Sequence, residues 1–439
     1  MGTPYRLWGF VTSWCGYEVP VEEQFKPAIA SLLDLGQMAA DRLPPTDVEL
    51  VPEPYGDRGE WAISVRHTGR TLGYVPEADA QLWAGVVRRT IASGCIPTTG
   101  ARISGYQSDG LEVWNLNVSV FLALGESDLA LPVNNPPAVP YTLLPSSGSV
   151  QVTKEDEYYD ALLKFVPRRG RGVLFVTLHE RPVASPKSKP IVEVRIDDEC
   201  IGQLTPQMSL RYLPMIRRLA ERRLLTASRG DIIGSAVAAE VRIYGMKANE
   251  VDNEFLNDGI ALMPRLVPEQ DDPRDYDLSN MLPLLQPLPP VPWPPAPPEP
   301  PDGSLVRFAR GRYNYVAVRS GAHWETTATT DWGGVTPVMS WRELATPTRK
   351  FEYASGWTPV DPHNDPRIRE HLAVVRFPID GQYVGAINIA EDRRDEGYWY
   401  TTLTEQAEQR LSVGCGSSWS QISRLGRFIE TPTTWELVE

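Results

Sequence analysis

The chain of 439 residues has no run approaching the ~18–20 consecutive apolar residues that a helix needs to cross a bilayer. Its opening, MGTPYRLWGF, lacks the basic-then-apolar layout of a signal peptide. Arg6 stands where a myristoylation signal requires Ser or Thr. A cytoplasmic protein with no membrane partner is therefore expected. Cysteine is sparse, and Cys15, Cys95, Cys200 and Cys415 stand singly, without the close pairs that zinc sites and redox dithiols use. The five histidines, His67, His179, His323, His363 and His371, show no HExxH-like ligand spacing. Neither a metal nor a cofactor is expected.

Catalytic signatures are scarce as well. There is no Walker loop, and Ser417, Ser418 and Ser420 in GCGSSWSQ lie outside the G-x-S-x-G setting that exposes a serine nucleophile. One grouping, His363-Asn-Asp365 with His371 nearby, joins imidazole and carboxylate as a general base would. Its setting, DPHNDPRIRE, is a proline-bracketed turn before a helix, where Asp365 reads as a cap. A non-enzyme is the preferred reading, and an enzyme with its site in residues 303–439 stays open as an alternative.

Proline and tryptophan, by contrast, are abundant, with 41 and 13 residues. So long a chain exceeds one hydrophobic core and implies several domains, and prolines at this density imply linkers between them. The net charge of −13 opposes simple coating of a phosphate backbone, but it is unevenly spread. Residues 1–145 carry nine basic against 16 acidic side chains, and 251–302 carry two against ten. Residues 303–439 carry 15 against 17, and only 146–250, with 17 against 13, are basic.

One internal offset stands out. A shift of 129 residues lays Ile63, Val65, Arg66, Leu72, Gly73 and Val75 onto Val192, Val194, Arg195, Ile201, Gly202 and Leu204 without a gap. It also carries Trp83, Val86, Val87, Arg88 and Arg89 onto Tyr212, Met215, Ile216, Arg217 and Arg218. WAISVRH and IVEVRID alternate apolar and polar residues as half-buried strands do. TLGYVP and CIGQLTP each place a glycine inside a short strand, the mark of a bulge or a close backbone approach. Helices follow, with apolar stripes at Leu82, Val86, Val87 and Ile91 and at Tyr212, Met215, Ile216 and Leu219. Each copy is expected to begin with a strand and a helix (YRLWGFV and EEQFKPAIASLL, then SVQVT and EYYDALLKFV). Each is expected to end in similar strands, Ala101–Gly105 and Val241–Gly245, the second set back by about eleven residues around TASRGDIIGS.

The first copy has a Glu-Pro corner in Val48-Glu-Leu-Val-Pro-Glu-Pro54, followed by Ala62-Ile-Ser-Val, Gly73-Tyr-Val-Pro76 and a helix. This pattern resembles the HIRAN domain, found fused to helicase-like chromatin remodellers and in shorter bacterial and phage proteins. The second copy, with Val192-Glu-Val-Arg-Ile-Asp-Asp and Ile201-Gly-Gln-Leu-Thr-Pro206, resembles a variant common in actinobacterial proteins. The resemblance implies two small β-barrel modules with flanking helices, of a kind that grips the 3′ end of single-stranded DNA. The family's Asn-Pro-Tyr-Asp-x-Asn-Ala run, which supplies contacts to the strand end, has no match. The first copy has Tyr55-Gly-Asp-Arg-Gly-Glu-Trp61 there, and the second has SPKSKPIV.

The expected fold class is α+β: two HIRAN-like modules in tandem and a C-terminal α+β domain after a proline-rich linker. Residues 1–131 would form the first module with an extension, 132–148 a linker, and 149–250 the second module. Residues 251–302, ending in LPLLQPLPPVPWPPAPPEPP, would be an acidic and then polyproline spacer, and 303–439 the last domain. In that domain VRFAR, NYVAVR, LAVVRFPI and QYVGAINI read as strands, and SWREL and TEQAEQRLS as helices. The expected function is nucleic-acid binding, with DNA as partner, through the basic surface of the second copy. That surface comprises Arg168, Arg169 and Arg171 on a turn, Lys187 and Lys189 on a loop, and Arg217, Arg218, Arg222 and Arg223 on the helix. The alternative is an interaction or scaffold protein of a phage or defence system, holding protein partners through the proline-rich segment and the tryptophan-rich C-terminal domain.

Overall fold

The computed structural model of the protein describes residues 2–9, 15–33, 40–107, 116–182, 189–235, 237–293, 295–310, 313–327, 338–345, 351–389, 398–403, 416–425 and 428–438. They form a strand-rich α+β protein with curled, mostly antiparallel sheets. The chain divides into two compact units, one of residues 1–20, 45–101 and 121–288, the other of residues 21–44, 102–120 and 289–439.

The first unit contains one arrangement twice. In the first copy β1 (Thr3–Arg6) and β2 (Thr46–Pro52) precede the hairpin of β3 (Ile63–His67) and β4 (Arg70–Tyr74). Helix α1 (Glu77–Ala92) and β5 (Cys95–Gln107) follow, the first unit taking β5 only as far as Ala101. In the second copy β6 (Tyr141–Leu143), β7 (Ser146–Gln151) and β8 (Arg171–Glu180) precede the hairpin of β9 (Val192–Ile196) and β10 (Glu199–Gln203). Helix α2 (Pro206–Glu221), β11 (Leu225–Gly234) and β12 (Ala239–Gly245) complete it. From the first residue of the hairpin to the last of the helix, every boundary is displaced by 129 positions.

The local geometry repeats too. Thr68 and Gly69 turn one hairpin with positive φ, and Asp197 and Asp198 turn the other, the combination a tight two-residue hairpin needs. Val65 pairs with Gly73 but Arg66 with Thr71, leaving Leu72 as the extra residue of a bulge. Val194 pairs with Gly202 and Arg195 with Cys200, so Ile201 is extra at the equivalent place. A Cβ on Gly73 would stand 2.8 Å from Val19 Cγ1, and one on Gly202 would stand 2.5 Å from Val152 Cγ1. In both copies a crossing segment runs against the bulge and excludes any side chain.

In each copy the long strand after the helix pairs antiparallel with the strand before the hairpin and parallel with the first strand. Thr46 faces Ala101 and Thr3 faces Cys95; Leu178 faces Thr226 and Tyr141 faces Leu225. This corrects two expectations. The counterpart of β5 is β11, and Val241–Gly245 belongs to β12, a further antiparallel strand on β11, so Cys95 and Leu225 begin equivalent strands 130 positions apart and the repeat holds no eleven-residue excess. Residues 141–143, expected in a linker, form β6. The stripe of α1 keeps Val86, Val87 and Ile91 buried but begins at Trp83, at the position of Tyr212 and 4% exposed, instead of Leu82, which is 59% exposed.

The stretch 251–288 packs along this unit. Short helix α3 (Asn253–Asn257) lies against α2, the Ala261 backbone N–H donates to Thr142 Oγ1, and the Leu266 N–H donates to Asn135 Oδ1. Leu285 is fully buried in a cluster with Val51, Ile91, Tyr276 and Leu278. Prolines cannot join a ladder, but their neighbours' carbonyls remain free to accept. Arg66, Arg88 and Arg89 use those of Leu284 and Gln286, of Pro273, and of Val267.

In the second unit Ala40–Arg42 pairs antiparallel with Ser104–Tyr106. Residues from 289 on hold two copies of another arrangement. The first is β13 (Leu305–Arg310), β14 (Tyr313–Ser320), β15 (His323–Thr326), β16 (Val338–Met339), α4 (Trp341–Leu344) and β17 (Glu352–Pro359). The second is β18 (Val374–Ile379), β19 (Gln382–Ile389), β20 (Tyr398–Thr401), α5 (Trp419–Leu425) and β21 (Glu430–Leu437). β17 and β21 pair antiparallel at the centre, Glu352 opposite Leu437 and Pro359 opposite Glu430, and each carries its own hairpin outward. Trp324 and Trp341 have ring centroids 4.9 Å apart, Trp399 and Trp419 4.8 Å. Trp341 Nε1 donates to the Pro297 carbonyl and Trp419 Nε1 to that of Pro362, both at 2.7 Å. Arg307 bonds Glu352 and lies over Trp435, while Arg376 bonds Glu430 and lies over Trp357. The four strands read from the sequence are β13, β14, β18 and β19, and SWREL contains α4; TEQAEQRLS lies outside the described residues.

Candidate nucleic-acid interface

The basic residues of the second copy fall into two groups. Arg168, Arg169 and Arg171 sit at the start of β8, where Arg169 pairs with Asp128, Arg171 with Glu126 at 3.1 Å, and Arg168 approaches Asp271 at 3.8 Å. Every cation of this turn has an acid beside it. Exposed pairs add little stability, but they do cancel the local field. Lys189 is exposed, and Lys187 lies outside the described residues.

The second group surrounds the C-terminal end of α2, which forms because Thr205 caps it, accepting from the Met208 N–H, and because its apolar stripe is buried. Arg217 makes a two-pronged ion pair with Glu180, at 2.6 and 2.9 Å, holding that carboxyl below its usual range. Arg218 instead bonds Asn257 Oδ1 at 2.5 Å, and Arg222 the Leu256 carbonyl at 3.1 Å, both neutral acceptors. Arg223, with φ 60°, and Arg211 are exposed and have no carboxylate partner among the described residues. Glu180 ends β8 and Arg171 begins it, nine steps of ~3.3 Å or about 30 Å apart. The structure thus keeps the two groups at opposite ends of one strand, one compensated and one largely not.

In the first copy the positions of Arg217 and Arg218 are Arg88 and Arg89, which are 5% and 7% exposed. Arg88 lies 4.6 Å from the Trp61 ring centroid and donates to the Glu60 carbonyl at 2.8 Å; Arg89 donates to the Val267 carbonyl at 2.8 Å. They are parts of the packing. In the C-terminal region Asp365 accepts from the Arg367 N–H at 2.9 Å and starts a short helix, so its carboxylate serves as a cap. Among the described residues no group of His, Cys, Asp and Glu is placed to hold a metal ion, and no helix is long and apolar enough to cross a membrane.

One feature had no signal in the sequence. Trp8, Ser146, Gly148, Ser149, Arg229 and Tyr244 line a cavity of about 320 Å³ in the first unit. Arg229 belongs to TASRGDIIGS, and nothing in that stretch indicates that Trp8, 221 positions earlier, lies under its guanidinium.

Comparison with known proteins finds no matching family model, no matching curated protein and no matching solved structure.

Proposed function

We propose that the protein is a non-enzymatic nucleic-acid-binding protein whose first unit carries two HIRAN-like modules, with the C-terminal end of α2 as its contact face. The observation that carries this reading is the charge of Arg218, Arg222 and Arg223 at that end, none of which has a carboxylate partner among the described residues, on a chain that is otherwise acidic. Cations without acid partners recruit phosphates and release counterions from them. The scaffold alternative needs accessible tryptophans: Trp324, Trp341 and Trp399 are buried, whereas Trp293 in the proline-rich stretch is 37% exposed and Trp357, Trp419 and Trp435 are partly exposed.

The test is binding of the purified chain to single- and double-stranded DNA and RNA at several salt concentrations. Replacing Arg217, Arg218, Arg222 and Arg223 with alanine should weaken binding across sequences and lower the salt slope by roughly one per lost phosphate contact. Replacing Arg88 and Arg89 should instead lower the melting temperature. Binding unaffected by the fourfold change, or undetectable for the intact protein in low salt, would remove the reading.

A further inference from the structure

We infer that the cavity beside Trp8 is an anion site that takes the phosphoryl group of a phosphate ester. The cation that would hold it is Arg229. Arg229 lies opposite Phe175 in the β8–β11 pairing, and its guanidinium lies 4.9 Å from the Trp8 ring centroid. Among the described residues no acceptor is hydrogen-bonded to that guanidinium and no carboxylate pairs with it. Burial works against its charge, and so does the nearby cation of Arg6, which is itself paired with Asp47. An arginine does not escape by losing its proton, so a partly buried guanidinium with its donors unused favours an incoming anion.

The nearby acids are already engaged. Asp231, two residues along β11, is bonded by Tyr244 and faces Arg171 and Arg242. Glu250 is bonded by Lys247 at 2.8 Å and by the Ser147 hydroxyl. Tyr5, whose buried hydroxyl has no hydrogen-bond partner among the described residues, lies close enough to feel the Arg229 charge.

Part of the lining is a strand that leaves its ladder. Ser146 pairs with Gly245 and Val150 with Ile243, so Ser147, Gly148 and Ser149 bulge away with no cross-strand partner in β12. A bulge frees backbone N–H groups, Ser146 and Ser149 add hydroxyls, and a Cβ at Gly148 would meet nothing within 4 Å. Trp8 is a fixed platform: its Nε1 donates to Met263 Sδ at 3.2 Å, and its ring meets Phe175 edge-on at 4.7 Å. A guanidinium placed over such a ring still has its planar fork, which matches two phosphate oxygens. The volume suits one nucleotide-sized group rather than a duplex.

The ester could belong to a free nucleotide or to the end of a nucleic-acid strand, so the inference does not rest on the α2 face. The experiment is calorimetric titration of the full chain with inorganic phosphate, a nucleoside monophosphate, and short oligonucleotides matched except for a terminal phosphate. The wild type should bind the monophosphate saturably and should prefer the phosphorylated oligonucleotide to its hydroxyl-ended twin. Arg229→Gln should weaken both at least tenfold without lowering the melting temperature, since it removes a charge that has no partner. Arg229→Lys, which keeps the charge but loses the fork, should fall between them. The fourfold α2 variant should bind the monophosphate as the wild type does. Monophosphate binding without oligonucleotide binding would support this site while removing the nucleic-acid reading. No saturable binding of any phosphate ester, or binding indifferent to Arg229→Gln, would overturn the inference.

Discussion

Arg66 and Arg195 occupy the same position in the two copies and have different fates. Arg66 pairs with Glu53 at 2.6 Å, with side chains only 3% and 2% exposed. It also bonds Ser64 Oγ and the carbonyls of Leu284 and Gln286, while Tyr74 donates to the other Glu53 oxygen. Arg195 pairs with Glu193 at 2.7 Å but remains 35% exposed. The segment 284–286 makes the difference, because it covers the first copy at this point. Removing one partner from a buried pair strands the other, a loss of about 3–5 kcal/mol, whereas exposed pairs are worth about 0–1 kcal/mol. Arg66→Ala and Glu53→Ala should therefore shift the denaturation midpoint strongly, and Arg195→Ala little. Equal shifts for Arg66→Ala and Arg195→Ala would show that the 284–286 cover does not hold in solution.

At the scale of elements, the hairpin, bulge and helix are legible in the sequence because each obeys a local rule: period two in Ile63–His67, a glycine where a chain crosses, a three-and-four stripe in Tyr212–Leu219. Both bulge glycines meet crossing segments, so Gly73→Ala and Gly202→Ala should each destabilise the first unit by about 1–3 kcal/mol through overpacking. Gly202→Ala should cost more, because its Cβ would meet Val152 Cγ1 at 2.5 Å and Thr153 O at 2.8 Å, and its φ is +153°. A thermal melt showing Gly202→Ala to be neutral would contradict the shared bulge. What the sequence hides is pairing at a distance. Prolines in 283–301 advertise a spacer because they lack donors, yet the carbonyls they leave free are what Trp341 and Arg66 find. The arginines illustrate the same limit, since Arg88 and Arg217 look alike until Pro273 and Glu180 are placed beside them. The symmetry of the C-terminal strands did leave a trace, Val306-Arg-Phe308 against Val375-Arg-Phe377 and Ser340-Trp341 against Ser418-Trp419. Different loop lengths between these pairs break the constant offset that exposed the first repeat.

At the scale of the whole chain, the boundary between the units after Leu288 falls inside the proline-rich stretch. The three hydrophobic clusters of the C-terminal strands draw only on residues 296–438, so this region has its own cores. A fragment of residues 289–439 should accordingly unfold cooperatively and give a dispersed NMR spectrum. A fragment of 303–439, which starts where the last domain was expected from sequence, should be less stable. It lacks Pro297, whose carbonyl accepts from Trp341 Nε1, and Glu299, which accepts from Trp324 Nε1 at 2.9 Å. Both tryptophans are buried, and a buried donor left without an acceptor costs about 1–3 kcal/mol. The longer fragment should therefore melt several degrees above the shorter one. Equal melting temperatures would mean that residues 289–302 contribute nothing to the fold, and an unfolded longer fragment would place the boundary elsewhere.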